Sequence, residues 1–189
     1  SYLTLMDENP KYDCKGQYYT LNMGDIYANY QKPEFYLKRG FNLLKYSPQV
    51  KKFCEDLNID TIISVSEIAN FYAVLSRWLF KNKVRIIASQ HINPEIFLDS
   101  PIHYWLIKFF YHRADEVVCV SREVERILNK DYDLENTQTI YNMMDTEDNI
   151  KLSEENLPSK FRNLFTENNY FNFINIGRLN RQKGQWFLI

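Results

Sequence analysis

Between Gly177 and Gly184 the chain reads Gly-Arg-Leu-Asn-Arg-Gln-Lys-Gly. Two of the chain's five glycines fall in these eight positions, with the cations Arg178, Arg181 and Lys183 between them. No acid follows Glu167, so residues 168–189 carry +3 and the rest of the chain −4, which sums to the net charge of −1. The run Phe171 to Ile176 is apolar and strand-like, and a helix is expected to open at Gly184. A basic turn from the end of a strand to the start of a helix suits a phosphate. The first N–H groups of a helix have no intrahelical acceptor and carry a partial positive charge. Arg adds a two-pronged donor and Lys a point charge. Each charge-assisted hydrogen bond contributes roughly 1.5–3 kcal/mol. The same residues would also make an ordinary solvated turn before a helix. The spacing matches neither a dinucleotide fingerprint nor a P-loop.

A second candidate is His91. It follows the apolar run Val84 to Ser89 and so sits at the carboxyl end of a strand, where ligands bind in open α/β sheets. A histidine bonded to backbone would occupy the same place. Glu67 and Asn70 follow another strand end at Val65-Ser66. Glu67 also suits the first turn of a helix, where an acid meets the positive end of the dipole. His103 and His112 lie in an aromatic helix and read as packing or surface residues. The acid pairs Glu123/Glu125 and Glu154/Glu155 fall on a polar helix face and in a linker, so no glycosidase pair is supported.

These residues need a scaffold, and the composition supplies one. Of 189 residues, 45% are hydrophobic and 16% aromatic, which excludes a disordered chain. No apolar run approaches the roughly 18 residues that span a bilayer. The near-neutral charge gives no pull toward nucleic acid, so any anion site is local. Cys14, Cys54 and Cys119 are far apart and match no zinc or disulfide spacing. No metal site and a reducing, cytoplasmic setting are expected.

Strand-like runs at Tyr2–Met6 and Gln17–Leu21 come first, separated by turn-forming residues. A helix is expected over Glu34–Tyr46, and Ser47-Pro48 signals the start of another that runs to about Leu57. Buried-strand runs at Thr61–Val65, Val84–Ser89, Glu116–Val120 and Thr137–Tyr141 alternate with helices at Glu67–Phe80, Pro101–His112 and from Ser121 to Tyr132. Short apolar strands alternating with helices imply parallel βαβ units, with helices on both faces of the sheet. From Thr146 to Tyr170 the chain turns polar, with its apolar cluster at Phe161–Phe165, and reads as a linker with one short helix.

Phe173-Ile174-Asn175-Ile176-Gly177-Arg178-Leu179, followed by Gln182-Lys183-Gly184, resembles the opening of the nucleotide-binding domain of family 4 glycosyltransferases. Other stretches agree. Val118-Cys119-Val120-Ser121 resembles the family's strand–Ser–helix, and Ile140-Tyr141-Asn142-Met143-Met144-Asp145 its exit from the first domain. Ile87-Ala88-Ser89-Gln90-His91 resembles the strand ending in its active-site histidine. The resemblance covers most of residues 34–189.

It implies a GT-B fold, two Rossmann-like domains facing a cleft. Residues 1–145 would form the acceptor-side domain, without its first βα unit. Residues 146–170 would be the linker, and 171–189 the start of a truncated donor domain. The implied activity is a hexosyltransferase-type, retaining transfer from a nucleotide sugar, UDP- or GDP-linked, to a glycan or lipid-linked acceptor, as in polysaccharide biosynthesis. No cofactor or metal is implied, because family members with this fold generally work without one. Arg178 and Lys183, with Gly177, would hold the donor diphosphate; His91 would face the donor sugar; Asn142 would line the cleft or hold the exit turn. The family's pair of glutamates, seven residues apart in the second domain, lies outside this sequence, so residues 1–189 alone are expected to be inactive.

Two rivals remain at this level: a sugar-nucleotide epimerase of similar fold, and a non-catalytic glycosyltransferase-like subunit that binds a glycan or a partner. The helices Glu34–Tyr46 and Pro101–His112 combine apolar or aromatic residues with cations. They are compatible with peripheral contact at the inner face of a membrane, although packing on a sheet is the simpler role. The basic turn yields a direct expectation for the full-length protein. Lys183→Ala should weaken binding of a nucleoside diphosphate by roughly tenfold or more, far more than binding of the free nucleoside, as loss of one charge-assisted contact predicts. Equal weakening of both ligands in calorimetric titration would remove phosphate from the turn's role.

Overall fold

The computed structural model describes residues 1–5, 15–23, 33–97, 101–159, 161–162, 173–179 and 183–188. The chain divides into two compact units, Ser1–Asn142 and Met143–Ile189.

In the first unit a short parallel pair, β1 (Tyr2–Thr4) and β2 (Tyr18–Thr20), precedes helix α1 (Pro33–Asp56). Then come β3 (Thr61–Val65), α2 (Glu67–Trp78), β4 (Arg85–Gln90), a 3₁₀ turn at Pro94–Phe97, α3 (Pro101–Tyr111), β5 (Glu116–Cys119), α4 (Arg122–Tyr132) and β6 (Thr137–Thr139). The last four strands form one parallel sheet in the order β3-β4-β5-β6. The fold is α/β, a Rossmann-like parallel sheet with helices on both faces, as expected from the alternation of apolar runs. In register, Ile63 pairs with Ile87, Ala88 with Val117 and Cys119 with Thr139.

Side chains alternate across a strand, so the register fixes which residues share a face. Ile86, Ala88, Val117 and Cys119 are buried. They join Ile107, Phe110 and Tyr111 of α3 and Ile127, Leu128 and Tyr132 of α4 in the core. Full burial of such a side chain contributes about 1.5–3 kcal/mol. The two faces of the edge strand β3 are unequally covered: Ile63 is 69% and Val65 56% exposed.

Local signals set several boundaries. Ser121 is the N-cap of α4, its Oγ accepting the Val124 N–H at 3.3 Å. The helix stops at Asp133, whose left-handed backbone lets its N–H donate to the Leu128 carbonyl. Elsewhere packing overrides the local signal. One continuous α1 replaces the two helices expected around Ser47-Pro48. Pro48 has no N–H to offer the Leu44 carbonyl. Yet α1 packs along α2, with Leu43 and Tyr46 against the core before this turn and Val50 and Cys54 buried after it, which holds the helix together. Ser47 therefore does not cap a helix; it is fully buried inside one.

In the second unit, α5 (Thr146–Ser153) is a short helix at the start of the stretch read as a linker. It is capped by Asp145, whose Oδ1 accepts the Asp148 N–H at 3.0 Å. Residues 161–162 are helical, and the rest of the Phe161–Phe165 cluster lies outside the described residues. Residues 173–176 are not a strand, contrary to expectation. A strand needs a neighbour for its ladder bonds, and Phe173, Ile174 and Ile176 are exposed. Gly184 opens a 3₁₀ turn, Gln185–Phe187, where a helix was expected.

Ser47 Oγ is buried and has no hydrogen-bond partner among the described residues. An orphaned buried hydroxyl costs stability, and Ala also favours a helix interior. Ser47→Ala is expected to raise the stability to urea by about 1 kcal/mol. A loss of that size instead would show that the hydroxyl is hydrogen-bonded in solution.

Candidate active site

The carboxyl ends of β3 and β4 carry a chain of buried polar side chains. At its centre is Asn70, fully buried in the first turns of α2. Its Oδ1 accepts the Ser64 hydroxyl of β3 at 2.7 Å. Its Nδ2 donates to the Ser89 carbonyl of β4 at 3.2 Å and to the Tyr111 Oη of α3 at 2.9 Å. The Tyr111 hydroxyl in turn donates to Gln90 Oε1. Gln90 Nε2 donates to the Ile92 carbonyl at 2.7 Å. Both hydrogens of the Asn70 amide are thus used, as a buried amide requires. Burial pushes the Tyr111 phenol well above the usual tyrosine range, and the nearby Glu67 charge adds to the effect. Tyr111 is therefore a neutral donor in this network.

His91 leaves this network at the surface. It directly follows β4, its side chain is exposed, and its Nε2 lies 2.9 Å from Ser89 Oγ. The polypeptide before α2 is strained. Ser66, the N-cap, has φ 85° and ψ 145°, a region usually left to glycine. Glu67, the first residue of α2, pairs with His103 of α3, with Nε2 to Oε1 at 3.0 Å. The bland assignment of Glu67 to a helix first turn is thus correct, but it also ties α2 to α3. His103 belongs to that pair. His112 lies just past α3, its Nδ1 2.7 Å from the Lys108 carbonyl. Asn142 is exposed at the end of the first unit.

Gly177, Arg178 and Lys183 lie in the second unit. Arg178 and Lys183 are both exposed. The turn is folded back on itself: Gln185 Nε2 donates to the Arg178 carbonyl at 3.0 Å. A Cβ on Gly177 would meet Gln185 Nε2 at 3.3 Å and Lys183 Cγ at 3.4 Å. Gly184 has φ 63°, which favours glycine. Gly184 therefore has a backbone reason to be glycine, whereas at Gly177 a Cβ would need only a small shift of the two side chains. Residues 180–182, including Arg181, lie outside the described residues.

Residues 9–148 match the family Glycosyltransferase Family 4. The chain belongs to this glycosyltransferase family. It is also 33% identical over 160 residues to an uncharacterized glycosyltransferase of Methanocaldococcus jannaschii. That alignment covers 79% of this chain and 39% of the relative, so the chain spans about two fifths of the relative it matches.

The family match ends before the basic turn and takes in the whole Asn70 network. Sequence reasoning picked out His91 and Asn70 but missed Ser64, Ser89, Gln90 and Tyr111 as partners. The available signal was polar residues closing otherwise apolar strands, as in Ile-Ile-Ser and Ala-Ser-Gln. Among the described residues no three His, Cys, Asp or Glu side chains cluster as metal ligands. No described helix is long and apolar enough to cross a membrane.

Removing the amide at position 70 orphans the Ser64 hydroxyl, the Ser89 carbonyl and one bond of Tyr111 at once. Asn70→Ala is expected to destabilise the protein by about 3 kcal/mol, from buried groups left unpaired. A cost under about 1 kcal/mol in urea unfolding would mean that water replaces the amide and the network is not structural.

Proposed function

We propose that this chain is part of a retaining glycosyltransferase that moves a hexosyl group from a UDP- or GDP-linked sugar to a glycan or lipid-linked acceptor. The observation that carries the reading is the placement of His91. It stands exposed at the carboxyl end of β4, beside a fully bonded polar network, in a chain belonging to glycosyltransferase family 4. A rigid strand end is where an α/β sheet offers side chains to a ligand.

In this reading the reaction breaks the bond between the sugar's anomeric carbon and the diphosphate, and negative charge grows on the leaving oxygen. Arg178 and Lys183 would meet that charge, and cations fixed in advance lower the barrier because they need not reorganise. Gly177 would let the phosphates approach the backbone. His91 would contact the donor sugar, and Asn142 would lie along the cleft. No resident cofactor is part of the proposal; the nucleotide sugar is a substrate. The proposed setting is cytoplasmic, with the acceptor reached at the inner face of the membrane when it is lipid-linked.

The test uses the full-length protein, with UDP-glucose, UDP-galactose and GDP-mannose as donors and no acceptor. Slow hydrolysis of at least one, releasing the nucleoside diphosphate, is the expected result. His91→Ala should reduce that turnover about a hundredfold, the usual cost of one preorganised contact. Affinity for the nucleoside diphosphate and the melting temperature should barely change, because the side chain is exposed. Binding of donors with no turnover would point to a non-catalytic subunit. A large fall in melting temperature would make His91 structural.

A further inference from the structure

Two neighbours in sequence, Ser89 and His91, are joined by side chains as well. The Ser89 hydroxyl oxygen lies 2.9 Å from His91 Nε2, and Ser89 is buried whereas His91 is exposed. A hydroxyl on a loose strand end could not orient anything, but this one is not loose. The Ser89 carbonyl receives the Asn70 amide, and Ser89 sits opposite Val65 and Val118 in the sheet. Gln90 is held between Tyr111 and the Ile92 carbonyl. Its own carbonyl receives the Val120 N–H at 3.3 Å. The two residues leading into His91 are thus fixed by three elements: Ser89 by α2, and Gln90 by α3 and the chain after β5.

We propose that Ser89, backed by Asn70, is the positioning residue of His91, occupying Nε2 of the imidazole and leaving Nδ1 as the ring nitrogen that meets the ligand. This rests on the reading of His91 given above. An exposed imidazole has two free torsions and two chemically distinct nitrogens. One bond to a fixed hydroxyl selects an orientation and removes one nitrogen from competition, whichever of the two carries the proton. Orientation set before the ligand arrives affects turnover more than ground-state binding. Ser89 itself touches no substrate in this scheme.

The test compares the full-length protein with Ser89→Ala, Ser89→Thr, His91→Ala and the Ser89→Ala/His91→Ala pair. Long-range ¹H–¹⁵N spectra of the imidazoles need no substrate. Ser89→Ala should move the His91 Nε2 resonance toward the pattern of a free imidazole, and Ser89→Thr, which keeps the hydroxyl, should restore it. Turnover is read on whichever of UDP-glucose, UDP-galactose and GDP-mannose is hydrolysed. There Ser89→Ala should lower kcat about tenfold with KM unchanged, as loss of one hydrogen bond predicts. The double variant should be no slower than His91→Ala alone, because the two residues act as one unit. An unmoved Nε2 resonance in Ser89→Ala overturns the proposal even if His91→Ala is crippled, and leaves the reading of His91 standing. A moved resonance with unchanged kcat also overturns it. Unchanged turnover in His91→Ala sinks the reading of His91 and the proposal together.

Discussion

Buried polar groups from β3, β4 and α3 meet at one carboxamide, that of Asn70. Asn70 is wholly enclosed, so each of its donors and acceptors must find a partner within the protein. It does so by reaching three elements: the Ser64 hydroxyl on β3, the Ser89 carbonyl on β4 and the Tyr111 hydroxyl on α3. A hydrophobic contact tolerates sliding, but a buried amide with both hydrogens committed does not. The ends of β3 and β4 and the close of α3 therefore hold a single arrangement. The apolar core of Ile86, Val117, Ile107 and Leu128 drives the collapse of the domain. Asn70 fixes how the strand ends stand once it has collapsed.

That division of labour explains the other features nearby. Ser66 keeps a backbone conformation that favours glycine. Local strain of this kind persists where surrounding contacts over-determine it. Here β3 is paired on one side of Ser66, and on the other side α2 is pinned by Asn70 four residues on. The Glu67–His103 pair adds a second tie between the starts of α2 and α3, at 20% and 11% side-chain exposure. Partly shielded, it is less screened than a surface pair, so it serves orientation more than net stability.

Much of the scaffold was legible because its signals are local. The run Thr-Ile-Ile-Ser-Val has the length and composition of a strand, and β3 occupies those five residues, but as the edge of the sheet it leaves Ile63 and Val65 exposed instead of buried. Ser121 announces a cap and makes one. Signals failed where distant packing decided the outcome. Ser47-Pro48 reads as a helix start, yet α2 supplies a surface along which α1 runs through. Phe171 to Ile176 reads as a strand, but a strand exists only with a neighbour, and residues 173–176 stay irregular. The site was half legible. His91 and Asn70 are visible as polar residues after strand ends. The bond from Asn70 to Tyr111 spans 41 positions in the sequence, and no periodicity encodes such a distance.

The basic turn obeys a different logic from the network. At the end of β4 the polar side chains are held by buried partners, so their geometry is set by the interior. At Gly177–Gly184 the described side chains are largely exposed, and the backbone does the shaping. The stem of Lys183 lies near Gly177, Gly184 accepts a left-handed turn, and Gln185 closes back on the Arg178 carbonyl. Such a turn presents cations without burying them, which avoids the desolvation that a buried ammonium would suffer. An exposed cation gains little from an anion in open water, where the attraction at contact is only about 1 kcal/mol. The same pair gains several-fold more when water is excluded. A turn built this way holds an anion weakly while solvated and more strongly once water is excluded. If the turn holds the diphosphate proposed above, removal of water around it, more than the number of cations, would decide how tightly it is held.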